Sequence, residues 1–474
     1  MLVHSVIIGA GISGLTAAYY LKQAGRNVLL LESSDRVGGV IQSVEAEGFL
    51  LERGPNSLRG THEFLDLIDE LKLHDELITA DPKAPAYVYF NQTLHPVPLS
   101  PPALIQSKLL STRAKLRLLR EPFIAARRET SEESLASFVR RRLGDEVLER
   151  LVAPFVSGVY AGDPEHLSVQ ASFARLANLE AESGSLLAGA IHAARAAKAN
   201  KNKPARSLRP YRLCGFREGL QTLTDAMAKA LGASLLTEAR IYSISQSSDL
   251  RLEIGDQKSA SQIPNLKYQI TYQRHGEMAT IQSNSLIIAT PSFVAANLLD
   301  EHAPELTHLL ADIPYTTLAA VPLAYRTEQV ARRLDGFGFL APRGQGLRTL
   351  GSIWNSSLFP SRAPDGFVLT NNFIGGETDR DAMQLSDDEW TDIVHRDLQT
   401  VLGITGTPIR LPITRWARAI PQYNLGHATR IATIEAALVR RPGLHLAGNY
   451  LHGVALGDLI KQGKELAGEV KQWL

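Results

Sequence analysis

A glycine-rich turn near the start of the chain constrains the fold more than any other feature of the sequence. Gly9, Gly11 and Gly14 lie between residues 5–8, which predict a short buried strand, and residues 15–24, which predict a helix. In a G-x-G-x-x-G turn, the first glycine permits the tight bend, the second admits a pyrophosphate, and the third lets helix and strand pack closely. The helix start then presents free N–H groups to the phosphates. The pattern predicts a dinucleotide-binding unit.

An acidic residue stands where the ribose of a bound dinucleotide is expected. Glu32 lies 18 residues beyond Gly14 and directly follows residues 28–31, which predict a second buried strand. In such units a carboxylate about 20 residues after the glycines accepts hydrogen bonds from the ribose. A turn without a ligand would explain the glycines but not the strand, the helix and the acid together. We therefore expect residues 9–14 and Glu32 to bind the adenine end of a dinucleotide.

The composition of the chain excludes several classes of protein. With 474 residues, 44% of them hydrophobic, the chain is long enough for two or three globular domains. Its net charge of +1 gives no general attraction to nucleic acid, and the single cysteine, Cys214, excludes a disulfide framework and a multi-cysteine metal site. The sequence has neither a signal-peptide pattern nor a long uncharged apolar run. We expect no metal, no nucleic-acid partner, and a location in the cytoplasm or peripheral on the cytoplasmic membrane face.

A second glycine motif favours a flavin over a nicotinamide as the cofactor. Gly38 and Gly39 follow shortly after Glu32, with Arg36 beside them. This arrangement resembles the second fingerprint of FAD-dependent amine oxidases and phytoene-desaturase-like enzymes, in which a glycine pair passes close to the flavin diphosphate. Residues 54–57, Gly-Pro-Asn-Ser, predict a turn, and the equivalent turn in those flavoproteins lies against the isoalloxazine ring. The motifs together predict FAD.

Two basic regions follow, and they differ in composition. Residues 103–142 combine apolar residues with many positive charges, including Arg128 and the run 140–142, and predict a helical region. This region suits docking on an anionic membrane surface, and an ordinary solvated helical subdomain with buried apolar faces is the alternative. Residues 193–210 are basic with little apolar content and no interleaved aromatic residues, which predicts a solvated loop and not a nucleic-acid site.

Later segments predict a substrate cavity and the far end of the cofactor site. Gly158 and Gly162 lie among small residues that let a flat molecule approach the backbone. Strands predicted within residues 318–373 suit a roof over the cavity, and Leu340 and Trp354 are candidate apolar walls, with core packing as the alternative for both. Near the C-terminus, a strand, a glycine-rich loop at 448–457 and a helix start suit a phosphate or the pyrimidine edge of the flavin.

Taken together, the motifs resemble the protoporphyrinogen oxidase family, within the amine-oxidase superfamily. The segments that carry the resemblance are 154–164 (PFVSGVYAGDP), 219–223 (GLQTL), 415–423 (RWARAIPQY) and the tail 448–457. The resemblance implies an α/β fold with three parts. These are a Rossmann-like FAD-binding domain at 1–60, 211–292 and 441–474, a substrate domain with a mixed or antiparallel sheet at 61–98 and 293–440, and a helical subdomain at 99–210 that contacts the membrane in several family members.

The resemblance also implies the residues of the site. Those expected to bind FAD are Gly9, Ala10, Gly11, Ile12, Ser13, Gly14, Glu32, Ser33, Arg36, Gly38, Gly39, Val40, Gly54, Pro55, Asn56, Ser57, Ile241, Gly448, Gly453, Val454 and Ala455. Those expected to contact the substrate are Gly158, Gly162, Leu340 and Trp354. No catalytic acid or base is expected, because the cofactor supplies most of the chemistry, and His452 is interpreted as a packing or hydrogen-bonding residue.

The implied reaction is the oxidation of a porphyrinogen to a porphyrin, with hydride passing from a meso carbon to flavin N5 and molecular oxygen reoxidising the flavin. Some family members place an arginine just before the strand predicted at residue 86, where it can pair with a substrate propionate. This chain has Ala86 there, and Arg59 and Lys83 are candidates to replace the arginine. The choice between protoporphyrinogen IX and coproporphyrinogen III therefore stays open, as does a homodimer.

Two other classes are also consistent with parts of the sequence. Another flavin amine oxidase or a desaturase would share the glycine motifs, but an amine oxidase should show an aromatic cage near the flavin, and the tail offers only Tyr450. A non-catalytic binding protein, as in the GDP-dissociation inhibitors, would lack the diphosphate loop, whereas Gly9, Gly11 and Gly14 are present here.

Overall fold

A computed structural model describes residues 2–127, 131–199, 212–248 and 266–473 of the chain. Arg128 of the predicted basic region and residues 200–210 of the predicted loop lie outside this part. The strands are β1 Leu2–Ile8, β2 Val28–Leu31, β3 Ser43–Ala46, β4 Phe49–Glu52, β5 Leu58–Arg59, β6 Leu77–Thr79, β7 Ala86–Phe90, β8 Thr93–Pro96, β9 Leu213–Phe216, β10 Leu235–Leu236, β11 Arg240–Ser248, β12 Leu266–Arg274, β13 Glu277–Ile288, β14 Leu318–Arg326, β15 Gly338–Leu340, β16 Gly351–Ile353, β17 Phe367–Gly375, β18 Ile409–Arg410, β19 Thr414–Trp416 and β20 Leu444–Leu446.

The helices alternate with these strands and also form one long helical region. They are α1 Ile12–Gln23, α2 His62–Leu71, α3 Pro101–Gln106, α4 Thr112–Leu119, α5 Leu135–Arg142, α6 Asp145–Val147, α7 Ala153–Tyr160, α8 Val169–Ser172, α9 Ala174–Ser183, α10 Leu186–Ala199, α11 Gln221–Leu231, α12 Ser292–Leu299, α13 Pro304–Ala311, α14 Asn355–Leu358, α15 Asp387–Leu402, α16 His427–Val439 and α17 Leu456–Trp473.

The first sheet, which we call the nucleotide sheet, is parallel at its centre. β1 pairs with β2 on one side and with β13 on the other, β10 extends the sheet beyond β2, and β20 joins the end of β13. The first part of β13 instead pairs antiparallel with β12, which pairs with β11. All four residues of β2 are buried, as its uninterrupted apolar sequence predicts for a strand covered on both faces. The predicted Rossmann-like element is confirmed.

The last helix packs against the first helix on one face of the nucleotide sheet. A Cβ atom on Gly463 would lie only 2.8 Å from Cβ of Thr16, so the glycine in α17 lets the two helices approach closely. At the start of α17, a Cβ atom on Gly457 would lie 2.6 Å from Cγ2 of Thr61. This packing places the first turn of α17 near the segment that follows β5, and thus fixes the loop that precedes the helix.

The second sheet has the strand order β18–β14–β17–β16–β15–β7–β8, and β19 also pairs with β14. Its pairs are antiparallel except for β15 with β7, which confirms the mixed sheet expected from the sequence. Helix α15 covers this sheet and contributes the buried side chains Trp390, Val394 and Leu398 to its core. Ser386 and Glu389 form a capping box at the start of α15, and Gly403 ends the helix with φ of 64°.

A hairpin replaces the single strand that the alternation of residues 86–94 predicts. β7 ends at Phe90, and the chain returns as β8 from Thr93. Asn91 and Gln92 form the turn with φ of 48° and 57°, the conformation of a two-residue hairpin turn with both central residues at positive φ. Glutamine is not a usual residue for this turn, so the local sequence did not indicate it.

The helical region α3–α10 surrounds an apolar core with a buried group of charged residues beside it. α6 continues through a π-helical turn at Leu148–Val152 into α7. Arg142 is completely buried, and its guanidinium pairs with Glu121 at 2.9 Å and with Glu180 at 3.4 Å. The prediction of a loop from residue 193 is wrong for residues 193–199, which belong to α10, because their many alanines favour a helix.

Candidate flavin site

The predicted cofactor residues gather where the parallel strands of the nucleotide sheet end. The N–H of Gly9, directly after β1, donates to the carbonyl of Leu31, the last residue of β2, at 2.8 Å. Gly9 has φ of 101°, and a Cβ atom there would lie 2.9 Å from the oxygen of Ala289, directly after β13. A Cβ atom on Gly448, two residues after β20, would lie 3.6 Å from the oxygen of Thr290. The carboxyl ends of parallel strands are where α/β folds bind nucleotides.

Gly14 is crowded by its neighbours, whereas Gly11 borders open space. A bound diphosphate requires this difference. A Cβ atom on Gly14 would lie 2.0 Å from the oxygen of Gly9, so the first turn of α1 and the strand end are in contact. A Cβ atom on Gly11 would meet nothing within 4 Å. Gly11 is the N-cap of α1, and no side chain caps the helix within the described residues. Free N–H groups and open space at Gly11 fit a phosphate group.

Glu32 lies beside this turn, partly exposed. One carboxylate oxygen accepts a hydrogen bond from the N–H of Ala10 at 2.7 Å, and the other accepts from the N–H of Ser34 at 2.9 Å and from the hydroxyl of Ser33 at 3.3 Å. The carboxylate therefore braces the glycine turn as well as facing the place expected for the ribose. The backbone of Ala239 donates to the carbonyl of Glu32 at 2.8 Å, which brings the start of β11, with Ile241, to the same place.

The Gly38–Gly39 turn lies against the first glycine motif. The N–H of Gly38 donates to the carbonyl of Ala10 at 2.8 Å, and a Cβ atom on Gly39 would lie 3.4 Å from Cα of Gly11. Arg36 holds this turn from the side, because its guanidinium donates to the carbonyls of Val37, Gly39 and Ile41 at 3.1, 2.6 and 3.1 Å. The two motifs thus form one surface, with Val40 exposed at its edge.

The turn at residues 54–57 is fixed by side chains from α14 and from β17 of the second sheet. A Cβ atom on Gly54 would lie 2.0 Å from the oxygen of Val40, which joins this turn to the glycine pair. The buried Asn56 side chain donates to the carbonyl of Gly54 at 3.2 Å and accepts from the amides of Asn355 at 2.8 Å and Asn371 at 3.0 Å. Pro55 and Ser57, on either side of Asn56, are partly exposed. No local sequence pattern predicts this cluster, because Asn355 and Asn371 lie 299 and 315 residues beyond Asn56.

One tyrosine bonds the C-terminal glycine loop, residues 448–455, at two points. The hydroxyl of Tyr423 donates to the carbonyl of Asn449 at 2.5 Å and accepts from the N–H of Gly453 at 2.9 Å. Val454 and Ala455 follow at the surface. His452 is exposed and pairs with Glu435 at 2.7 Å, in agreement with its interpretation as a hydrogen-bonding residue.

The structure brings three of the four predicted substrate residues towards one region. A Cβ atom on Gly158 in α7 would lie 2.2 Å from Cδ2 of Leu340, so the side chain of Leu340 already fills the space beside this glycine. Beside Gly162, just beyond α7, the space is filled in the same way by the amide oxygen of Gln422, at 2.4 Å. Trp354 instead lies in the core of the second sheet, completely buried and next to Tyr87. Core packing is the role that the structure supports for Trp354.

Positive charge near these residues comes from a position that the sequence did not single out. Ala86 lies opposite Gly338 at the start of the parallel pair β7–β15, whereas Leu340 lies at its other end. Arg343 follows Leu340 in the next loop; partial burial lowers the pKa of its guanidinium, and the nearby Asp379 and Asp163 oppose that shift. Asp163 directly follows Gly162, so Arg343 lies on the side of the predicted substrate residues.

Two further features bear on partners. No group of three or more metal-ligating residues occurs among the described residues. In the same part of the chain, we find no helix with the length and apolar character needed to cross a membrane. The helical region nevertheless exposes large apolar side chains, and we call these residues the apolar face: Leu99, Ile105, Leu116, Leu119 and Phe123.

The chain is similar to known proteins over nearly its whole length. Residues 12–471 match the family described as flavin containing amine oxidoreductase. The chloroplastic protoporphyrinogen oxidase of Nicotiana tabacum is 36% identical, over 99% of this chain and 85% of that protein. The coproporphyrinogen III oxidase of Bacillus subtilis (strain 168) is 31% identical, over 99% of this chain and 98% of that protein. A crystal structure of a protein from Exiguobacterium sp. 255-15 has a TM-score of 0.77 at 24% identity, over 99% of both chains, and shares the fold.

The fold, the open glycine turn and these similarities define an oxidoreductase that uses a flavin. The chain belongs to the flavin containing amine oxidoreductase family, and its cofactor is a flavin. The α/β fold, the flavin and the resemblance to protoporphyrinogen oxidases expected from the sequence are therefore confirmed.

Proposed function

We propose that this protein oxidises protoporphyrinogen IX to protoporphyrin IX in tetrapyrrole biosynthesis. The observation that carries the proposal is that relatives named protoporphyrinogen oxidase align with 99% of the chain, including the complete glycine turn that FAD requires. FAD held at the glycine turn would supply the hydride acceptor for the substrate and the route by which the electrons reach molecular oxygen. Removal of six electrons from a porphyrinogen corresponds to three such turnovers, each of which reduces one O2 to H2O2.

The protein's own residues bind and orient the reactants in this proposal. Gly11 and the first turn of α1 hold the diphosphate, Glu32 the ribose, and the 54–57 turn and the C-terminal glycine loop the isoalloxazine. The N–H groups at the start of α1 suit the negative charge of the diphosphate. We assign no general acid or base, since the pyrrole N–H protons can leave by tautomerisation. The division into an FAD-binding domain, a substrate domain and a helical subdomain, with the boundaries given above, is part of the proposal.

The deciding experiment measures porphyrin fluorescence over time, with protoporphyrinogen IX and coproporphyrinogen III supplied side by side to the FAD-loaded protein. We expect fluorescent porphyrin and hydrogen peroxide in a ratio of one to three. Protein stripped of FAD is the control for spontaneous oxidation. A yellow protein that oxidises neither porphyrinogen would refute the proposed substrate class while leaving the flavin assignment in place.

Coproporphyrinogen III is the second candidate substrate. It is favoured by the relatives of that name from Bacillus subtilis and Staphylococcus aureus, which are 31% and 30% identical to this chain, whereas the alanine at position 86 leaves the choice between the two substrates open. We propose that Arg343 supplies the positive charge for a propionate, because its exposed side chain follows Leu340 in the chain and lies within electrostatic range of Asp163 in the predicted substrate segment.

Substitution of Arg343 tests whether this residue binds a propionate and which porphyrinogen is the substrate. Arg343→Ala should raise KM several-fold, and more strongly for coproporphyrinogen III, with four propionates, than for protoporphyrinogen IX, with two. Arg440→Ala, at an exposed position after α16, is the matched control and should leave both KM values unchanged. Equal KM values for Arg343→Ala and the unchanged protein would show that Arg343 does not bind the substrate.

We also propose that the protein resides in the cytoplasm, as a monomer or homodimer, and binds the cytoplasmic membrane through the apolar face. Leu99 and Phe123 are 86% and 87% exposed, and Lys108, Arg113 and Arg120 are exposed between them. Exposed apolar side chains with neighbouring positive charges suit the boundary of an anionic bilayer. The alternative, an ordinary solvated helical surface, does not require these large side chains to be exposed.

Vesicle sedimentation separates the two interpretations. The protein should bind vesicles that contain phosphatidylglycerol more strongly than pure phosphatidylcholine vesicles, and Phe123→Ser should weaken binding. Val439→Ser is a control at a similarly exposed apolar residue, at the end of α16. Equal binding by the two variants would contradict docking through the apolar face.

A further inference from the structure

The hydroxyl group of Tyr423 joins two points of the C-terminal glycine loop. It donates to the carbonyl of Asn449 and accepts from the N–H of Gly453, at 2.5 and 2.9 Å. The side chain is 4% exposed, so water does not compete for these bonds. Gly453 has φ of 100°, a conformation that favours glycine. The other side-chain bonds to this loop, from Glu435 and Gln462 to His452, are at exposed positions, so the tyrosine supplies the buried contacts at residues 449 and 453.

The ring and backbone of Tyr423 are themselves held in place. Its ring stacks on His427 with centroids 4.2 Å apart and an angle of 8° between the planes. His427 is 1% exposed; burial and the nearby charge of Arg430 lower the pKa of its imidazole to about 4, so the ring is neutral near pH 7. The carbonyl of Tyr423 accepts from the N–H of Ser168 at 2.8 Å. The hydroxyl is therefore fixed relative to α8 and α16.

Gln422, the residue before Tyr423, contacts a different segment of the chain. The amide nitrogen of Gln422 donates to the carbonyl of Tyr160, the last residue of α7, at 3.0 Å. Gln422 therefore holds the segment that contains Gly158 and Gly162, whereas Tyr423 holds the C-terminal glycine loop. Two adjacent residues, Gln422 and Tyr423, thus connect the segment with the predicted substrate residues to the C-terminal glycine loop.

We propose that Tyr423 is a positioning residue for the isoalloxazine ring of FAD. Its hydroxyl sets the conformation of the C-terminal glycine loop, and the loop backbone in turn contacts the flavin. This inference rests on the placement of that loop at the isoalloxazine in the proposed function, but it does not depend on which substrate is oxidised. Removal of the hydroxyl leaves the stacked ring in place and removes the bonds to Asn449 and Gly453, while those at His452 remain.

The test compares Tyr423→Phe with Tyr325→Phe. Tyr325 lies in β14, is likewise buried, hydrogen-bonds Nδ1 of His395 at 3.0 Å and stacks on that histidine. The control therefore loses a similar hydroxyl group from a similar tyrosine–histidine pair in the second sheet. Both variants retain the aromatic ring, and thermal unfolding of the flavin-free proteins measures any general loss of stability.

We expect Tyr423→Phe to weaken FAD binding by about threefold to tenfold, the range that loss of a net hydrogen bond produces. We also expect a shift of its flavin absorption bands and reduction potential. Tyr325→Phe should show the Kd and spectrum of the unchanged protein. Unchanged FAD affinity and spectrum in Tyr423→Phe, or the same changes in both variants, would overturn the inference. No porphyrinogen enters these measurements, so a failure of the proposed substrate leaves their outcome intact.

Discussion

The glycine turn of the nucleotide sheet and the helical region at 101–199 are stabilised by opposite means. The turn consists of backbone contacts so close that a Cβ atom on Gly14 would lie 2.0 Å from the oxygen of Gly9, and only Gly11 borders open space. The helical region instead encloses long charged side chains. Arg142 is 0% exposed, and Arg141 bonds both Glu133 and Glu180 at 2.8 and 2.7 Å.

The two regions consequently differ in what a substitution does. At the glycine turn, a side chain added at Gly11 would occupy space without disturbing the protein, so function should be lost while the fold is kept. In the helical region, removal of one charge leaves a buried partner uncompensated, so stability should be lost while the flavin site is kept. A buried charge network is costly to break although it is weak evidence of net stability.

Gly11→Asp should have the largest effect, complete loss of FAD binding. The new carboxylate would lie in the place and carry the charge of the diphosphate, and Gly11 has φ of −71°, which aspartate adopts readily. The purified variant should be colourless, with a circular dichroism spectrum and unfolding transition like those of the flavin-free parent protein. A variant that stays yellow would place the diphosphate elsewhere.

Arg142→Leu should lower the free energy of unfolding by about 3–5 kcal/mol, because Glu121 and Glu180 would lose a buried partner. Urea unfolding measures the difference. Its reconstituted flavin spectrum should match that of the parent protein, since Arg142 lies outside the nucleotide sheet. A change in FAD affinity comparable to the loss of stability would contradict the independence of the two regions.

Acid should weaken the two regions in different pH ranges. The pKa of His427 is lowered to about 4, as is that of His445 in β20 by burial. Below about pH 6.5 the unfolded chain binds protons on these histidines but the folded chain does not. Their contribution to the free energy of unfolding is therefore complete above pH 6.5. As the pH falls towards 4, this free energy decreases by up to about 1.4 kcal/mol per pH unit for each residue.

The helical region should respond only at lower pH. Although burial acts to raise the pKa of Glu180, hydrogen bonds from Arg141 and the charges of Arg141 and Arg142 lower it. The stability from a carboxylate with a lowered pKa is present above its unfolded pKa of about 4.3 and is lost below it.

Urea unfolding of the parent protein and of His427→Phe between pH 7.5 and 3.5 should show a weaker pH dependence in the variant above pH 4. Identical curves would contradict the role of His427.

Arg140→Ala should have the smallest effect. Its guanidinium pairs with Glu165, and both side chains are nearly half exposed. An exposed ion pair contributes at most about 1 kcal/mol. The comparison with Arg142→Leu tests whether burial, and not the number of charges in the run 140–142, determines stability in this region.

Sequence predicted the nucleotide sheet well because its determinants are local. The buried strand β2, the glycine turn and Glu32 lie within one short stretch, and the capping box of α15 likewise fixes residues 387–402 from adjacent positions. The roles of the individual residues towards FAD stay predictions, although the structure brings the glycine motifs together.

Other features were not predictable from the sequence. Some join residues that are distant in the chain, and in others a side chain of the protein occupies the space where a ligand was expected. The amides around Asn56 come from residues 355 and 371, and no local pattern connects them. Gly158 suggested a flat molecule against the backbone, but the side chain of Leu340 occupies that space. Residues 103–142 were predicted to form a basic helical region, either docked on a membrane or an ordinary subdomain with buried apolar faces. Neither interpretation placed Arg142 in the interior between Glu121 and Glu180.

The nucleotide sheet is completed by elements that lie far from the glycine turn in the sequence. β20 joins β13, and α17 packs on α1. Because β20 and α17 are synthesised after the glycine turn, the turn depends on its own backbone contacts until they join it. If the C-terminal glycine loop holds the isoalloxazine as proposed, stable flavin binding requires residues 444–473 to be in place.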